Sequence, residues 1–244
     1  MLHFNSLSGI TIDNSKSPIT ERKMIELLAH VEVETASNPN AAIIWLHGLG
    51  ADGHDFEPIV EQLNLPARAA IRFIFPHAPS LPVTINNGRM MPAWYDILEM
   101  NIDRKVDQVQ LKNSVNSIID LINHEIKQGI SSERIVVAGF SQGGAIAFET
   151  ALSFPQKLAG LLALSTYFAT KDTISLDSVN LNLPIAIHHG EYDSVVPFSL
   201  ATVSHQLLVK KGYPAILKTY PMDHSLCPQQ IEDIGRWLMG VLNI

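Results

Sequence analysis

Three residue types, placed in one order, suit the breaking of an acyl bond: a serine nucleophile, a histidine that takes its proton, and a carboxylate that orients the histidine. The serine candidate is Ser141, in Gly139-Phe140-Ser141-Gln142-Gly143. A serine on a tight strand-to-helix turn sits in a strained backbone region where bulky neighbours collide, and glycines at 139 and 143 remove those collisions. The apolar run Ile135 to Ala138 precedes this turn, and Gly144, Ala145 and Ala147 follow it. That pattern is a nucleophile elbow, which lifts the serine Oγ above the strand ends and aims a helix N-terminus at the same place. A glycine-rich turn carrying an idle serine is the plainer alternative.

In such folds the acid and the base follow the serine in the order Ser, acid, His. Downstream histidines are His188, His189, His205 and His224. His188 and His189 end an apolar strand and suit a structural role equally well, and His205 falls inside a helical pattern. His224 lies in Tyr220-Pro221-Met222-Asp223-His224-Ser225, between the last strand and the last helix, where a base can reach over the sheet. For the acid, Asp193 lies in Gly190-Glu191-Tyr192-Asp193-Ser194-Val195-Val196-Pro197, a loop that follows a strand and precedes a helix. Glu191 is the nearby rival. An acyl-transfer site also needs donors for the oxyanion. The backbone N–H of Gln142 is one, and the N–H of Leu49 in His47-Gly48-Leu49-Gly50 is the second, on a loop whose glycines permit close backbone approach.

These residues need strands and helices to hold them. Leu27-Ala29-Val31-Val33 alternates with polar neighbours and predicts an edge strand. Ala41 to Leu46, Ile71 to Phe75, the elbow strand, Gly160 to Leu164, Ile185 to His189 and Ala215 to Tyr220 are short apolar strand candidates. Leu111, Val115, Ile118, Ile119, Ile122 and Ile126 recur at helical spacing, and Gly129 ends that helix. A helix opens at Pro197 and closes at Gly212, and a terminal helix carries Ile231, Ile234, Leu238, Val241 and Leu242. His77 to about Lys105 reads as irregular. Strands alternating with helices predict an α/β fold with a mostly parallel sheet covered on both faces. Ligands of such sheets bind beyond the carboxyl ends of the strands, where all the candidate residues fall.

His47-Gly48-Leu49-Gly50-Ala51-Asp52-Gly53, Met91-Pro92-Ala93-Trp94-Tyr95-Asp96-Ile97, Gly139-Phe140-Ser141-Gln142-Gly143-Gly144-Ala145 and the Gly-x-x-Asp-x-x-Val-Pro of residues 190–197 together resemble the phospholipase/carboxylesterase family. This is the group of α/β hydrolases that includes the acyl-protein thioesterases. The resemblance runs from about Ile25 to the C-terminus. It implies the α/β-hydrolase fold, Ser141, Asp193 and His224 as a triad, and Leu49 and Gln142 as oxyanion donors. It also implies a small-molecule or lipid acyl ester, or an acylated protein, as substrate. Family members are often dimers, which makes a homodimer an open expectation. The family often has Gly before this histidine and acidic residues in the following helix. Here Asp223 stands in that place and Gln229 and Gln230 follow, so a carboxylate neighbours the base. A lysophospholipase, an acyltransferase or a peptidase on the same triad, and a binding module of the same fold without catalysis, are the rival functions.

The stretch Thr166 to Pro184 is too short for a separate cap domain, so an open site is expected. Its substrate wall is expected in Asn86 to Leu98, with Met90, Met91, Trp94 and Ile97 as contacts, since methionines adapt to varied apolar shapes. Packing of this segment on the core is the competing reading, and the resemblance favours the acyl chain.

The bulk composition narrows the alternatives. With 244 residues, 46% of them hydrophobic, the chain fills one sizeable domain. Residues 1–23 are polar and poorly periodic and read as an extension of a composition that favours disorder, with the domain over 24–244. The net charge of -7 and the lack of a basic patch argue against nucleic acid. No apolar run reaches a membrane span. No Lys or Arg precedes Lys16 and no apolar h-region follows, so no signal peptide is expected. The lone Cys227 excludes an internal disulfide framework and makes the cytoplasm the expected location. His47, His54 and His77 lack metal-ligand spacing, and no phosphate-loop lysine follows Gly53, so neither a metal nor another cofactor is expected.

Overall fold

Strands that are apolar on both faces fit a sheet covered by helices on both sides. The computed structural model describes residues 26–99 and 105–244. Along the chain run β1 (His30–Glu34), β2 (Ala41–Leu46), the short helix α1 (Ile59–Gln62), β3 (Ile71–Pro76), β4 (Ser80–Val83), β5 (Arg89–Pro92) and α2 (Gln108–Lys127). Then follow β6 (Ile135–Phe140), α3 (Gln142–Ser153), β7 (Gly160–Leu164), β8 (Ile185–Gly190), α4 (Phe198–Lys210), β9 (Ala215–Tyr220) and α5 (Pro228–Leu242). Seven strands form one sheet in the order β1-β3-β2-β6-β7-β8-β9. All neighbours are parallel except the edge strand β1, which pairs antiparallel with β3. This is the α/β-hydrolase fold.

The period-2 alternation of side chains builds two cores at once. In β2, Ala42, Ile44 and Leu46 join the core formed with α2, α3 and α4. Ala41, Ile43 and Trp45 face the other way, toward α1 and α5. All six are buried, and each full-sized apolar side chain so placed contributes roughly 1.5–3 kcal/mol. The edge strands β1 and β9 keep a half-exposed alternation, and at the rim of β1 the Arg72 guanidinium is bonded to Glu34. Asp107 caps α2 by accepting from the N–H groups of Val109 and Gln110, and Gly129, at φ +101°, lets the chain leave after its end.

Two expectations change. The stretch from His77 holds an antiparallel hairpin, β4 with β5, reversed through Asn87 and Gly88 at φ 56° and 71°. Pro82 and Pro92 hide it in the sequence, because proline argues against a strand except at an edge, which is where both lie here. The first strand begins at His30 rather than Leu27. Between β7 and β8 lies one 3-10 turn, Ser178–Asn180, held by Asn180 bonds to Phe154, Gln156 and Leu158. No helix among the described residues is long and apolar enough to cross a membrane. The extension expected over residues 1–23 lies outside the described residues.

Candidate active site

β6 delivers Phe140 to the top of the sheet, and the chain reverses at Ser141 with φ 53° and ψ -117°. A non-glycine residue there carries roughly 1–3 kcal/mol of strain and persists only when its surroundings hold it. They do so from two sides: the Ser141 N–H donates to the Leu164 carbonyl at 2.9 Å, and Thr166 Oγ1 donates to the Ser141 carbonyl at 2.6 Å. A Cβ on Gly139 would run into the Gly143 carbonyl, and one on Gly143 into the carbonyls of Leu46 and His47. Both glycines are therefore required by close contact.

His224 reaches over from the loop between β9 and α5. Its Nε2 lies 3.0 Å from Ser141 Oγ and its Nδ1 2.7 Å from Asp193 Oδ2. The ring rests on Phe140, with centroids 4.8 Å apart. The Asp193 side chain is fully buried, while that of His224 is 17% exposed. Burial alone would raise the Asp193 carboxyl, but hydrogen bonds from His224 and the Val196 N–H outweigh it and hold it below its ordinary value. Its other oxygen, Oδ1, accepts from the N–H groups of Val195 and Val196 at 2.9 and 2.7 Å. An ionised Asp193 places the imidazole proton on Nδ1 and leaves Nε2 to accept from the serine hydroxyl.

The other candidates are engaged elsewhere. Glu191 is exposed and accepts from Thr219 Oγ1 at 2.9 Å. His188 lies 3.2 Å from the Tyr220 hydroxyl, and burial pushes its pKa down to about 4. His189 donates to the Val196 carbonyl at 2.8 Å and stands 3.5 Å from Asp193 Oδ2, with its pKa lowered by burial. His205 bonds the Ala215 carbonyl at 3.1 Å. Asp223 is exposed and accepts from Ser225 Oγ at 2.6 Å.

A cavity of about 340 Å³ opens on Ser141 and His224. Gly48, Leu49, Gln142, Ile85, Tyr95, Ile97, Tyr167 and Val195 are among the residues that line it. Gln142 is the first residue of α3, so its N–H has no acceptor within the helix. Of the four expected wall residues, Ile97 lines the cavity. Met90, Met91 and Trp94 are not among the residues that line it. Met90 points outward from β5 and is 59% exposed, and Met91 Sδ accepts from Asn86 Nδ2. Trp94 is wholly buried, and its indole N–H donates to the His47 carbonyl at 2.9 Å. Tyr95 falls inside the expected wall segment Asn86 to Leu98 without being named as a contact, and Tyr167, Ile85 and Val195 lie outside it. Tyr95 follows Trp94 directly, which was a usable signal; nothing in the chain marks the other three.

A family model described as Phospholipase/Carboxylesterase matches residues 28–242. Acyl-protein thioesterase 1 of Neurospora crassa is 38% identical over 217 residues, which cover 84% of this chain and 89% of that protein. Acyl-protein thioesterase 1 of Cryptococcus neoformans is 36% identical over 236 residues, covering 88% and 98%. Among solved structures, Zea mays acyl-protein thioesterase 2 superposes with a TM-score of 0.78 at 27% identity, covering 88% of this chain and 99% of that one. Arabidopsis thaliana SOBER1 gives 0.77 at 29% identity, covering 83% and 99%.

Proposed function

This chain belongs to the phospholipase/carboxylesterase family, a family of serine-hydrolase-type esterases and thioesterases, and from that membership we propose that it hydrolyses acyl esters or thioesters through an acyl-enzyme on Ser141. The observation that carries this reading is the unbroken hydrogen-bonded line Ser141 Oγ, His224, Asp193, at 3.0 and 2.7 Å, opening on a mainly apolar cavity.

His224 Nε2 takes the serine proton as Oγ attacks the acyl carbonyl. Charge gathers on the carbonyl oxygen, where the N–H groups of Gln142 and Leu49 receive it. The imidazolium, steadied by Asp193, then protonates the leaving alcohol or thiol. Water enters, gives its proton to the same Nε2, and attacks the acyl-enzyme. A second collapse releases the carboxylic acid and frees Ser141. The thioesterase names of the relatives favour a protein-bound or small-molecule acyl thioester as substrate. A cytoplasmic location, expected from the single cysteine, belongs to this proposal.

A fluorophosphonate probe tests it. Labelling is expected on Ser141, and Ser141→Ala is expected to abolish labelling and to lower kcat by roughly 10⁴–10⁶ with the fold intact by circular dichroism. Activity of Ser141→Ala within tenfold of wild type would move the nucleophile elsewhere.

A further inference from the structure

The two N–H groups assigned to the oxyanion come from separate pieces of chain, Leu49 from the loop after β2 and Gln142 from the start of α3. Their spacing must hold to a few tenths of an ångström, because donors work only at about 2.7–3.1 Å from the developing charge. We propose that Trp94 and the side chain of Gln142 are the positioning residues that fix this spacing, an inference that rests on Ser141 being the nucleophile.

One short segment ties both donors. Trp94 Nε1 donates to the carbonyl of His47, two residues before Leu49, at 2.9 Å. The Trp94 N–H donates to Gln142 Oε1 at 2.8 Å, and Gln142 Nε2 donates to the Tyr95 carbonyl at 2.7 Å. Ser114 Oγ, on α2, donates to the Trp94 carbonyl at 2.5 Å and anchors the segment from behind. The Gln142 amide is thus engaged through both its oxygen and its nitrogen and is buried, so its part in the reaction is to brace the backbone that carries its own N–H. Gly50, just past Leu49, is held by the same stretch, its N–H donating to the Pro92 carbonyl at 2.9 Å.

His47 completes the brace. The Ala78 N–H donates to its Nε2 at 3.1 Å, so Nδ1 carries the proton and donates to the Gly48 carbonyl at 2.8 Å. Trp94, Gln142, Ser114 and His47 are each no more than 5% exposed, where an unpaired polar group is disfavoured. Loss of the indole N–H leaves the His47 carbonyl buried without that partner and frees the Leu49 loop to shift. A displacement of about 1 Å costs on the order of a hundredfold in rate.

The test measures kcat and KM for acetyl and octanoyl esters in wild type, Trp94→Phe and Gln142→Met, with thermal melts of each. In both variants kcat is expected to fall by roughly 10–100-fold, by the same factor for the two chain lengths, with KM little changed. Affinity for an alkyl trifluoromethyl ketone, whose adduct carries the oxyanion, is expected to fall by a similar factor, and affinity for the matching methyl ketone to hold. A loss confined to the octanoyl ester, or one in KM alone, overturns the inference and makes Trp94 an acyl contact. If Trp94→Phe does not fold, Gln142→Met decides alone. Ser141-dependent turnover with kcat unchanged in both variants overturns the inference and leaves the nucleophile standing, whereas Ser141-independent turnover overturns both.

Discussion

The elbow from Ile135 to Ala145 and the stretch from His77 to Glu99 meet at the Gln142 side chain, yet they are built by different rules. In the elbow, the short motif itself states the main demands: Gly139 is closed in by the Gly143 carbonyl and Ser141 carries a positive φ, while Gly143 also packs against the Leu46 and His47 carbonyls from another strand end. In the other stretch, residues are constrained by partners far away in the chain. Trp94 answers to His47 and Gln142, at separations of 47 and 48 residues. The first kind of region tolerates almost no substitution but reads locally. The second tolerates change at some positions and none at others, with no local sign of which is which.

Perturbing the elbow's chemistry from outside gives the largest effect. Asp193→Asn keeps the shape of the acid but favours the wrong imidazole tautomer, so kcat is expected to fall by roughly 10⁴, while Glu191→Gln stays within about threefold. Steady-state kinetics on the two purified variants checks the ranking, and the reverse order would make Glu191 the acid. The same variant has a pH signature. The folded Asp193 carboxyl sits below its ordinary value, so the stability it contributes is complete above about pH 4 and is lost as pH falls through the lower folded value. Acid unfolding of Asp193→Asn is therefore expected to show a shallower slope below pH 4.

The elbow's backbone comes next. Gly143→Ala drives a Cβ into the Leu46 and His47 carbonyls, and overpacking of that kind costs about 3 kcal/mol, or about 10 °C in Tm for a chain of this size. A drop under 2 °C in a thermal melt would show that the elbow can yield and would blur the contrast between the two regions.

Smaller effects belong to the hairpin stretch, and they should divide residue by residue. Ile97→Ala removes cavity wall and is expected to lower kcat/KM for an octanoyl ester by roughly tenfold, with an acetyl ester within about twofold, since apolar contact grows by about 0.8 kcal/mol per buried methylene. Met90→Ala, at an exposed position, is expected to leave both esters within about twofold and stability within about 0.5 kcal/mol. Equal losses at Ile97 and Met90 would mean that the cavity extends past the walls described above.

Contiguous residues were enough to read the α/β layout and the place of Ser141. Both-face burial leaves an unbroken apolar run, as in Ala41–Leu46, and a strained turn demands glycines at adjacent places, as at 139 and 143. Asp193 and His224 were legible as candidates for a related reason: in this topology they fall in loops that follow strands, so chain order stands in for space. Folding alone assigned the aromatic residues. Trp94 and Tyr95 are adjacent and equally buried, yet one braces the loop of Leu49 and the other lines the cavity. What separates them is which buried polar group lies within hydrogen-bond reach, and such partners come from the whole fold. Their spacing along the chain carries no record of it.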